Sequence, residues 1–204
     1  WAYKRSVPYL TTVQRASTPL IVNNKLFVGF ADGFFCAFRV EDGVLLWEKK
    51  LSEGTKFVDV DLSPVLYGED ILVGSLAGPL HLLNAQNGAV KRRFDFIVSR
   101  APYLSGERVL LGTTGGDFVV LDKNFNQEAS VKVSDLPISS MKEWKNYYAV
   151  STVARTLYLI DKKTLSIAES FDLGHVSSAV FGDMQVGEGK LAFLSSRNRL
   201  YVFR

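Results

Sequence analysis

Five apolar runs recur along this chain at a nearly constant spacing, and each contains a small residue at the same place. The runs read LFVGFADGFFCAF, ILVGSLAGPLHLL, VLLGTTGGDFVVL, YAVSTVARTLYLI and AFLSSRNRLYVF. Their small residues are Gly29, Gly74, Gly112, Ser151 and Ser195, at spacings of 45, 38, 39 and 44 residues. A repeat of this length indicates a structural unit that buries its apolar face against its neighbours. The repeat therefore limits the chain to a small set of repeat architectures.

Each repeat predicts four short strands joined by tight turns. In the first repeat, PLIV leads through NNK to LFVGF, then through ADG to FFCAFRV, and VLLWEKKL follows. Val, Leu and Phe favour strands, whereas Asn, Gly and Asp favour the turns between them. A four-stranded antiparallel unit of about 40 residues, repeated around a ring, is a β-propeller blade. We therefore predict an all-β fold, a five-bladed β-propeller, with residues 1–204 forming a single domain.

The blades are predicted from the positions of the repeats. They cover approximately residues 15–52, 60–96, 100–134, 138–173 and 177–204, the last together with residues 1–7. The last repeat ends after its third strand, and WAYKRSV has the pattern of the missing fourth one. Trp1 lies 28 residues before Gly29, and Trp47 lies 27 residues before Gly74. We expect residues 1–7 to complete the last blade and close the ring, which removes two exposed sheet edges.

Composition excludes several classes of function. The 204 residues include 24 basic and 21 acidic side chains, and this balance does not favour nucleic acid as a partner. No apolar run approaches the ~18 residues of a membrane-spanning helix. The chain does not begin with Met, so we expect a processed or trimmed product. Cys36, the single cysteine, is predicted to be a small buried hydrophobic residue, since neither His81 nor His175 is visibly placed to activate it.

The densest basic run is KRRF, with Lys91, Arg92 and Arg93. A solvated strand edge is the favoured interpretation of such a run, and a polyanion site is the alternative. His81 lies on a predicted third strand nearby. We interpret it as a half-buried, hydrogen-bonded residue rather than a ligand.

The phrase LFVGFADGFFCAFRVEDGVLLW, residues 26–47, resembles the PQQ-repeat (quinoprotein-like) β-propeller family. The second repeat carries most of the phrase as ILVGSLAGPLHLLNAQNGAV, and the third keeps LLGTTGGDFVVLD. Within the family, the chain is most similar to the BamB-like branch. That resemblance implies a non-enzymatic scaffold of a cell-envelope assembly, located in the periplasm or elsewhere outside the cytoplasm. Members have eight blades, whereas this sequence contains five repeats.

Two enzymatic interpretations are weaker than the scaffold. A quinoprotein dehydrogenase needs Ca²⁺, and Asp59 and Asp61 in VDVDLS are the best oxygen ligands, although a solvated loop between blades is favoured for them. A carbohydrate-binding or glycoside-cleaving propeller would use Asp32 and Asp117 at the channel mouth, although turn residues are favoured there. We keep the carbohydrate interpretation as the alternative. We predict no catalytic residue, no metal and no cofactor.

Protein binding is the predicted function. The connections between blades and the turns between second and third strands share one face of a propeller. Its predicted charged residues are Arg15, Lys56, Arg100, Arg155, Arg197 and Arg199, with Glu53, Asp32, Asp59, Asp61, Asp117 and Asp135. Phe57, Tyr103 and Trp144 are possible aromatic anchors on it, with core packing as the favoured interpretation.

Arginine makes bidentate contacts with carboxylates, so the predicted partner-binding residues are arginines. They are Arg100, Arg155, Arg197 and Arg199. The expected partner is another protein of an envelope complex. This chain itself is predicted to lack a transmembrane segment, with membrane association through a partner or a lost lipid anchor.

Overall fold

The computed structural model describes residues 1–5, 17–52, 58–75, 77–175 and 178–204. The regular secondary structure in this part of the chain consists of nineteen strands, which form five antiparallel sheets. Four sheets have four strands and one has three, with neighbours in the sheet also neighbours in sequence. The prediction of an all-β chain with five propeller-type blades is confirmed, because each repeat forms one sheet.

The first two sheets follow the first two repeats. Sheet 1 contains β1 Leu20–Val22, β2 Lys25–Gly29, β3 Phe34–Arg39 and β4 Leu45–Lys50. Sheet 2 contains β5 Val65–Tyr67, β6 Asp70–Ser75, β7 Gly78–Asn84 and β8 Val90–Phe94.

The remaining three sheets follow the later repeats. Sheet 3 contains β9 Tyr103–Ser105, β10 Arg108–Gly112, β11 Asp117–Leu121 and β12 Gln127–Lys132. Sheet 4 contains β13 Ile138–Trp144, β14 Tyr147–Thr152, β15 Thr156–Asp161 and β16 Ile167–Asp172. Sheet 5 contains β17 Gln185–Gly187, β18 Lys190–Leu194 and β19 Leu200–Phe203.

Turn chemistry explains where the strands end. Val22 and Lys25 pair across a two-residue turn, and its residues, Asn23 and Asn24, have φ of 50° and 59°. A turn of this kind requires a positive φ at both positions, which Asn tolerates better than most residues.

In sheets 1 to 4 the third strand is mostly buried and the fourth strand is mostly exposed, so the fourth strand forms the outer edge.

The chain forms two compact units, Trp1–Ala101 with sheets 1 and 2, and Pro102–Arg204 with sheets 3 to 5. Neighbouring sheets within a unit share an apolar core. In the first unit this core includes Phe27, Phe35, Val60, Ile71, Val73 and Leu83. In the second unit one core includes Leu110, Phe118, Ile138, Tyr148 and Val150, and another includes Trp144, Leu159, Leu173, Leu191 and Phe193.

The predicted closing strand is wrong for the residues that can be assessed. Residues 1–5 form no strand, residues 6–7 lie outside the described part, and sheet 5 has three strands among the described residues. Side chains rather than backbone hydrogen bonds hold the N-terminal segment. The Trp1 and Tyr3 rings lie 6.0 Å and 4.6 Å from the Phe38 ring of sheet 1. In the described ranges, no helix has the length and apolarity needed to cross a membrane.

Candidate functional site

Trp1 and Trp47 make the same backbone contact at two places in the first unit. The Trp1 indole Nε1 donates a hydrogen bond to the Val40 carbonyl at 2.8 Å. The Trp47 indole Nε1 donates one to the Ala85 carbonyl at 3.2 Å. Val40 and Ala85 occupy equivalent places in the turns after β3 and β7, so each indole is bound by the same part of a sheet.

Each indole also covers a glycine of that turn. A Cβ added at Gly43 would lie 2.4 Å from Trp1 Cδ2, and one added at Gly88 would lie 2.6 Å from Trp47 Cε3. Both glycines have a positive φ, +72° and +70°, which favours glycine for a second reason. The two tryptophans therefore occupy equivalent places in the repeat, as their spacing in the sequence predicts.

Arg5 joins the N-terminal segment to sheet 1 by two ion pairs. Its Nε lies 2.5 Å from Asp32 Oδ2, and its Nη1 lies 2.5 Å from Glu48 Oε2. Its guanidinium carbon lies 4.4 Å from the centroid of the Phe34 ring. Burial lowers the pKa of Arg5, but its hydrogen bonds to Asp32 and Glu48 outweigh burial and leave the pKa raised. Asp32 is therefore the partner of a permanent cation.

The carboxylates weighed for carbohydrate chemistry both have a structural role within their own units. Asp32 Oδ1 accepts a hydrogen bond from the Phe34 backbone N–H at 3.3 Å. Asp117 Oδ2 accepts one from Thr113 Oγ1 at 3.2 Å, and Thr113 Oγ1 accepts one from the Asp117 backbone N–H at 2.9 Å. These are the contacts of turn residues, as the sequence favours, and they lend no support to glycoside cleavage.

Cys36 is buried in β3. Burial raises the pKa of its thiol to about 12, so the thiol is protonated at neutral pH. A protonated thiol is a poor nucleophile. The structure therefore agrees with the prediction of a small buried hydrophobic residue.

Asp59 and Asp61 are not in a solvated loop, contrary to the favoured interpretation of VDVDLS. Their exposed fractions are 2% and 5%, and both interact with other groups of the protein. The segment is held down because the Val60 backbone N–H donates to the Phe30 carbonyl at 3.0 Å. Gly29 permits this close approach, since a Cβ there would lie 2.1 Å from the Val60 carbonyl oxygen. The described residues contain no cluster of three or more His, Cys, Asp or Glu side chains suited to a metal ion.

The structure brings three of the four predicted arginines to neighbouring loops of the second unit. Arg155 lies between β14 and β15, where its Nε is 3.0 Å from Asp172 Oδ2. Arg197 and Arg199 lie between β18 and β19 and are exposed. Arg199 Nη1 lies against Gly174, because a Cβ added there would be 2.9 Å from it. The short segment after β16 thus connects Arg155 to the turn that carries Arg199.

Two exposed leucines, which the sequence analysis did not single out, border that turn. Leu194 and Leu200 pair across β18 and β19, and their exposed fractions are 56% and 70%. Both follow the ordinary apolar pattern of a strand, so nothing in the sequence distinguishes them from core residues. We call the set formed by these leucines and the three arginines the arginine surface. It comprises Arg155, Leu194, Arg197, Arg199 and Leu200.

The other residues of the predicted binding face are placed differently. Arg100 is half-buried between β8 and β9 and belongs to the first unit, so it is described apart from the arginine surface. Tyr103 and Trp144 pack in the cores of the second unit, as favoured for them. Four further residues of that face lie outside the described residues. They are Arg15, Glu53, Lys56 and Phe57.

Sequence comparisons identify similar proteins. The family model described as "Outer membrane protein assembly factor BamB" matches residues 1–124. A protein of that description from Kangiella koreensis is 28% identical over 172 residues, which are 80% of this chain and 44% of the relative. One from Shewanella oneidensis is 22% identical over 210 residues, 99% of this chain and 52% of the relative. The chain thus spans about half the length of these two relatives.

Solved structures share the fold. BamB from Moraxella catarrhalis superposes with a TM-score of 0.76 at 19% identity, covering 99% of this chain and 62% of that one. The computationally designed Ika8 protein superposes with a TM-score of 0.61 at 14% identity, covering 92% of this chain and 70% of that one. The superposition on BamB supports the assignment of the sheets as propeller-type blades.

Proposed function

The chain belongs to the PQQ-repeat family described as outer membrane protein assembly factor BamB, and from this premise we propose that it is a non-enzymatic protein-interaction scaffold in the assembly of outer membrane proteins. The observation that carries the proposal is the family match over residues 1–124, together with similar proteins of the same description. Fold alone does not determine function, so the proposal also needs a binding surface.

The arginine surface is the proposed binding site in the second unit. Protein interfaces are enriched in arginine and in apolar side chains at their centre, and this surface has both. Arg155 is half-exposed and is oriented by Asp172, which reduces the conformational entropy that binding would cost. Leu194 and Leu200 supply apolar area beside the guanidinium groups. A partner with an acidic segment beside apolar residues fits this surface.

Arg100 is a second proposed contact, in the first unit. It lies in a connection between two blades, where propellers commonly carry binding residues, and it is half-buried. It is the less accessible of the proposed contacts, so we expect charge reversal there to have the smaller effect on binding.

The proposed location follows from the proposed function. A scaffold for outer membrane proteins works outside the cytoplasm, so we place this chain in the periplasm, in contact with another protein of the envelope complex. Membrane association through that partner or through a lipid anchor is part of the same proposal.

A co-purification experiment tests the scaffold. The tagged protein is incubated with detergent-solubilised envelopes of its source organism, and the captured proteins are identified by mass spectrometry. We expect an outer-membrane assembly protein to be enriched, and Arg155→Glu or Arg197→Glu to reduce its recovery about tenfold. Lys163→Glu is the matched control, because Lys163 is an exposed cation at the turn between β15 and β16 in the same sheet as Arg155.

Two results would contradict the proposal in different ways. Capture of no envelope assembly protein by the unmodified chain would reject the scaffold function. Equal capture by the Arg155→Glu, Arg197→Glu and Lys163→Glu variants would retain the scaffold but reject the arginine surface.

A further inference from the structure

A basic pocket lies in the first unit between the end of β4 and the strands β7 and β8. Its volume is about 480 Å³. Three cations and a histidine line it, and apolar side chains form part of its wall. The residues that matter here are Lys49, Lys50, His81, Arg93, Leu51 and Val90.

Among the described residues, the charged side chains that line this pocket are all basic, and Lys49, Lys50 and Arg93 make no ion pair there. The other two cations of KRRF, Lys91 and Arg92, make contacts outside the pocket. Lys91 Nζ lies 2.7 Å from Asp70 Oδ1, and the Arg92 guanidinium carbon lies 4.9 Å from the Phe94 ring centroid. All three basic residues of that run are exposed on β8, as the solvated-edge interpretation favours, and Arg93 is the one of them that lines the pocket.

His81 provides a second, independent indication of a ligand. It is 7% exposed, and within the part of the chain that the structure describes its Nδ1 has no hydrogen-bond partner. It is thus more buried and less satisfied than the half-buried, hydrogen-bonded residue that the sequence predicts. Buried polar atoms in native proteins are nearly always hydrogen-bonded, so an orphaned nitrogen in the wall of a pocket points to a missing partner.

The electrostatics around His81 also favour an anion. Burial lowers the pKa of His81, the positive charges of Arg93 and Lys49 lower it further, and a backbone hydrogen bond with Pro79 opposes them. The register pairs His81 directly with Arg93 across β7 and β8. The imidazole is therefore neutral at pH 7, and a negative charge in the pocket would favour its protonation.

We propose that this basic pocket binds a phosphate group, held by Lys49, Lys50 and Arg93 with His81 as the fourth contact. A phosphate group carries more charge and more acceptor oxygens than a carboxylate, so it matches three cations better. The pocket is also larger than one phosphate, and Leu51 and Val90 border it. The ligand is therefore a small molecule or a lipid headgroup that carries a phosphate beside an apolar or neutral portion.

Titration with defined probes tests the pocket. Inorganic phosphate and glycerol 3-phosphate are titrated into the protein and followed by the backbone amide NMR shifts of β7 and β8. We expect saturable binding that Arg93→Gln and Lys49→Gln each weaken about tenfold. Lys91→Gln is the matched control, because it removes the same charge from the same strand but not from the pocket.

A vesicle arm identifies the source of the phosphate. Flotation with phosphatidylglycerol vesicles is compared with flotation with phosphatidylcholine vesicles. Binding to phosphatidylglycerol that Arg93→Gln abolishes, and that free phosphate competes, assigns a lipid headgroup. Binding of the soluble probes alone assigns a soluble phosphate compound. Either result supports the proposal.

The role of His81 has its own readout. Sulfate does not titrate between about pH 8 and about pH 6, so a change in its affinity over that range reports the protein. We expect sulfate to bind more tightly at the lower pH, because the anion offsets the effect of Arg93 and Lys49 on the imidazole, and we expect His81→Asn to lose this dependence. An unchanged pH dependence in that variant would remove His81 from the site.

The proposal is overturned if no probe gives saturable binding, or if Arg93→Gln and Lys91→Gln bind every probe equally. The pocket shares no residue with the arginine surface, so its failure leaves the scaffold untouched.

Discussion

The two units fasten neighbouring sheets at the same place with different side chains. In the first unit Trp47 lies over Gly88 and donates to the Ala85 carbonyl. In the second unit the register places Ala129 where the first has tryptophan, and Leu165 stands where the first has glycine. The large and small partners are exchanged, and Ala129 and Leu165 pack against one core.

The hydrogen bond of the indole is replaced as well. Arg108 Nη1 donates to the Lys162 carbonyl at 2.8 Å, and Lys162 lies three residues before Leu165, as Ala85 lies three before Gly88. At both junctions the space between the sheets is filled and the turn carbonyl accepts a hydrogen bond, although different residues provide these contacts. The later repeats can therefore lack the tryptophan–glycine pair and still pack neighbouring sheets together.

Trp47→Ala should have the largest effect. It removes an aromatic ring over Gly88 and leaves the Ala85 carbonyl without its donor, so we expect a loss of about 3 kcal/mol in the free energy of unfolding. Urea denaturation followed by circular dichroism measures it. A double variant tests the equivalence of the two junctions more directly. Gly88→Leu alone should be strongly destabilising, and the double variant Trp47→Ala with Gly88→Leu should be more stable than Gly88→Leu alone. Absence of that rescue would show that the two junctions are not equivalent.

Arg108→Met should cost less, about 1.5 kcal/mol. It keeps the aliphatic stem but removes the donor to Lys162 and the ion pair with Glu128, whose oxygen lies 2.7 Å from Arg108 Nε. Lys123→Met is the control, since Lys123 pairs with Glu107 at an exposed site of the same sheet. If the two variants lose equal stability in urea, Arg108 does not replace the indole.

Leu165→Gly should cost about 1 kcal/mol. The substitution loses packing against the core between sheets 3 and 4. Leu165 has a φ of 51°, however, and glycine relieves that strain. Leu157→Gly removes a buried leucine in extended conformation and should cost several times more in the same urea measurement. Equal losses would mean that the backbone at Leu165 is not strained.

Glu143→Gln should have the smallest effect, visible in the pH dependence. Hydrogen bonds from Lys162 and Ser105 lower the pKa of Glu143 in the folded protein. A carboxylate with a lowered folded pKa stabilises the protein above its unfolded pKa, about 4.3, and this contribution is lost as pH falls through the folded value. Urea midpoints at descending pH should therefore fall less steeply in the variant. Identical slopes would show that Glu143 contributes nothing to the acid sensitivity of the second unit.

Local patterns predicted most of the fold. The strands and turns follow from apolar runs punctuated by Asn, Gly and Asp, and the equivalence of Trp1 and Trp47 follows from their spacing alone. Arg5 was missed because its partners, Asp32 and Glu48, are 27 and 43 residues away, and no local pattern encodes such an ion pair. The burial of Asp59 and Asp61 depends on the close approach of Val60 to Gly29, which only the packed sheets reveal.

The sites divide in the same way. The neighbouring placement of Arg155, Arg197 and Arg199 follows from the repeat, which fixes which turns lie together, whereas their role in binding stays a prediction. The pocket at His81 was not, since it needs Lys49 and Lys50 from one sheet to lie beside Arg93 from the next. The predicted closing strand failed at the same level: residues 1–5 have a strand-like sequence but form no strand, and their side chains contact sheet 1.

Cys36, which lies beside Arg5, is a chemical reporter of local opening in sheet 1. Arg5 Nη1 lies 3.8 Å from Cys36 Sγ, and this is the single thiol of the chain. Burial keeps a thiol reagent from that sulfur until the structure around it opens, so the labelling rate of Cys36 reports local opening of sheet 1. Because the chain has no second cysteine, the measured labelling rate belongs to Cys36 alone.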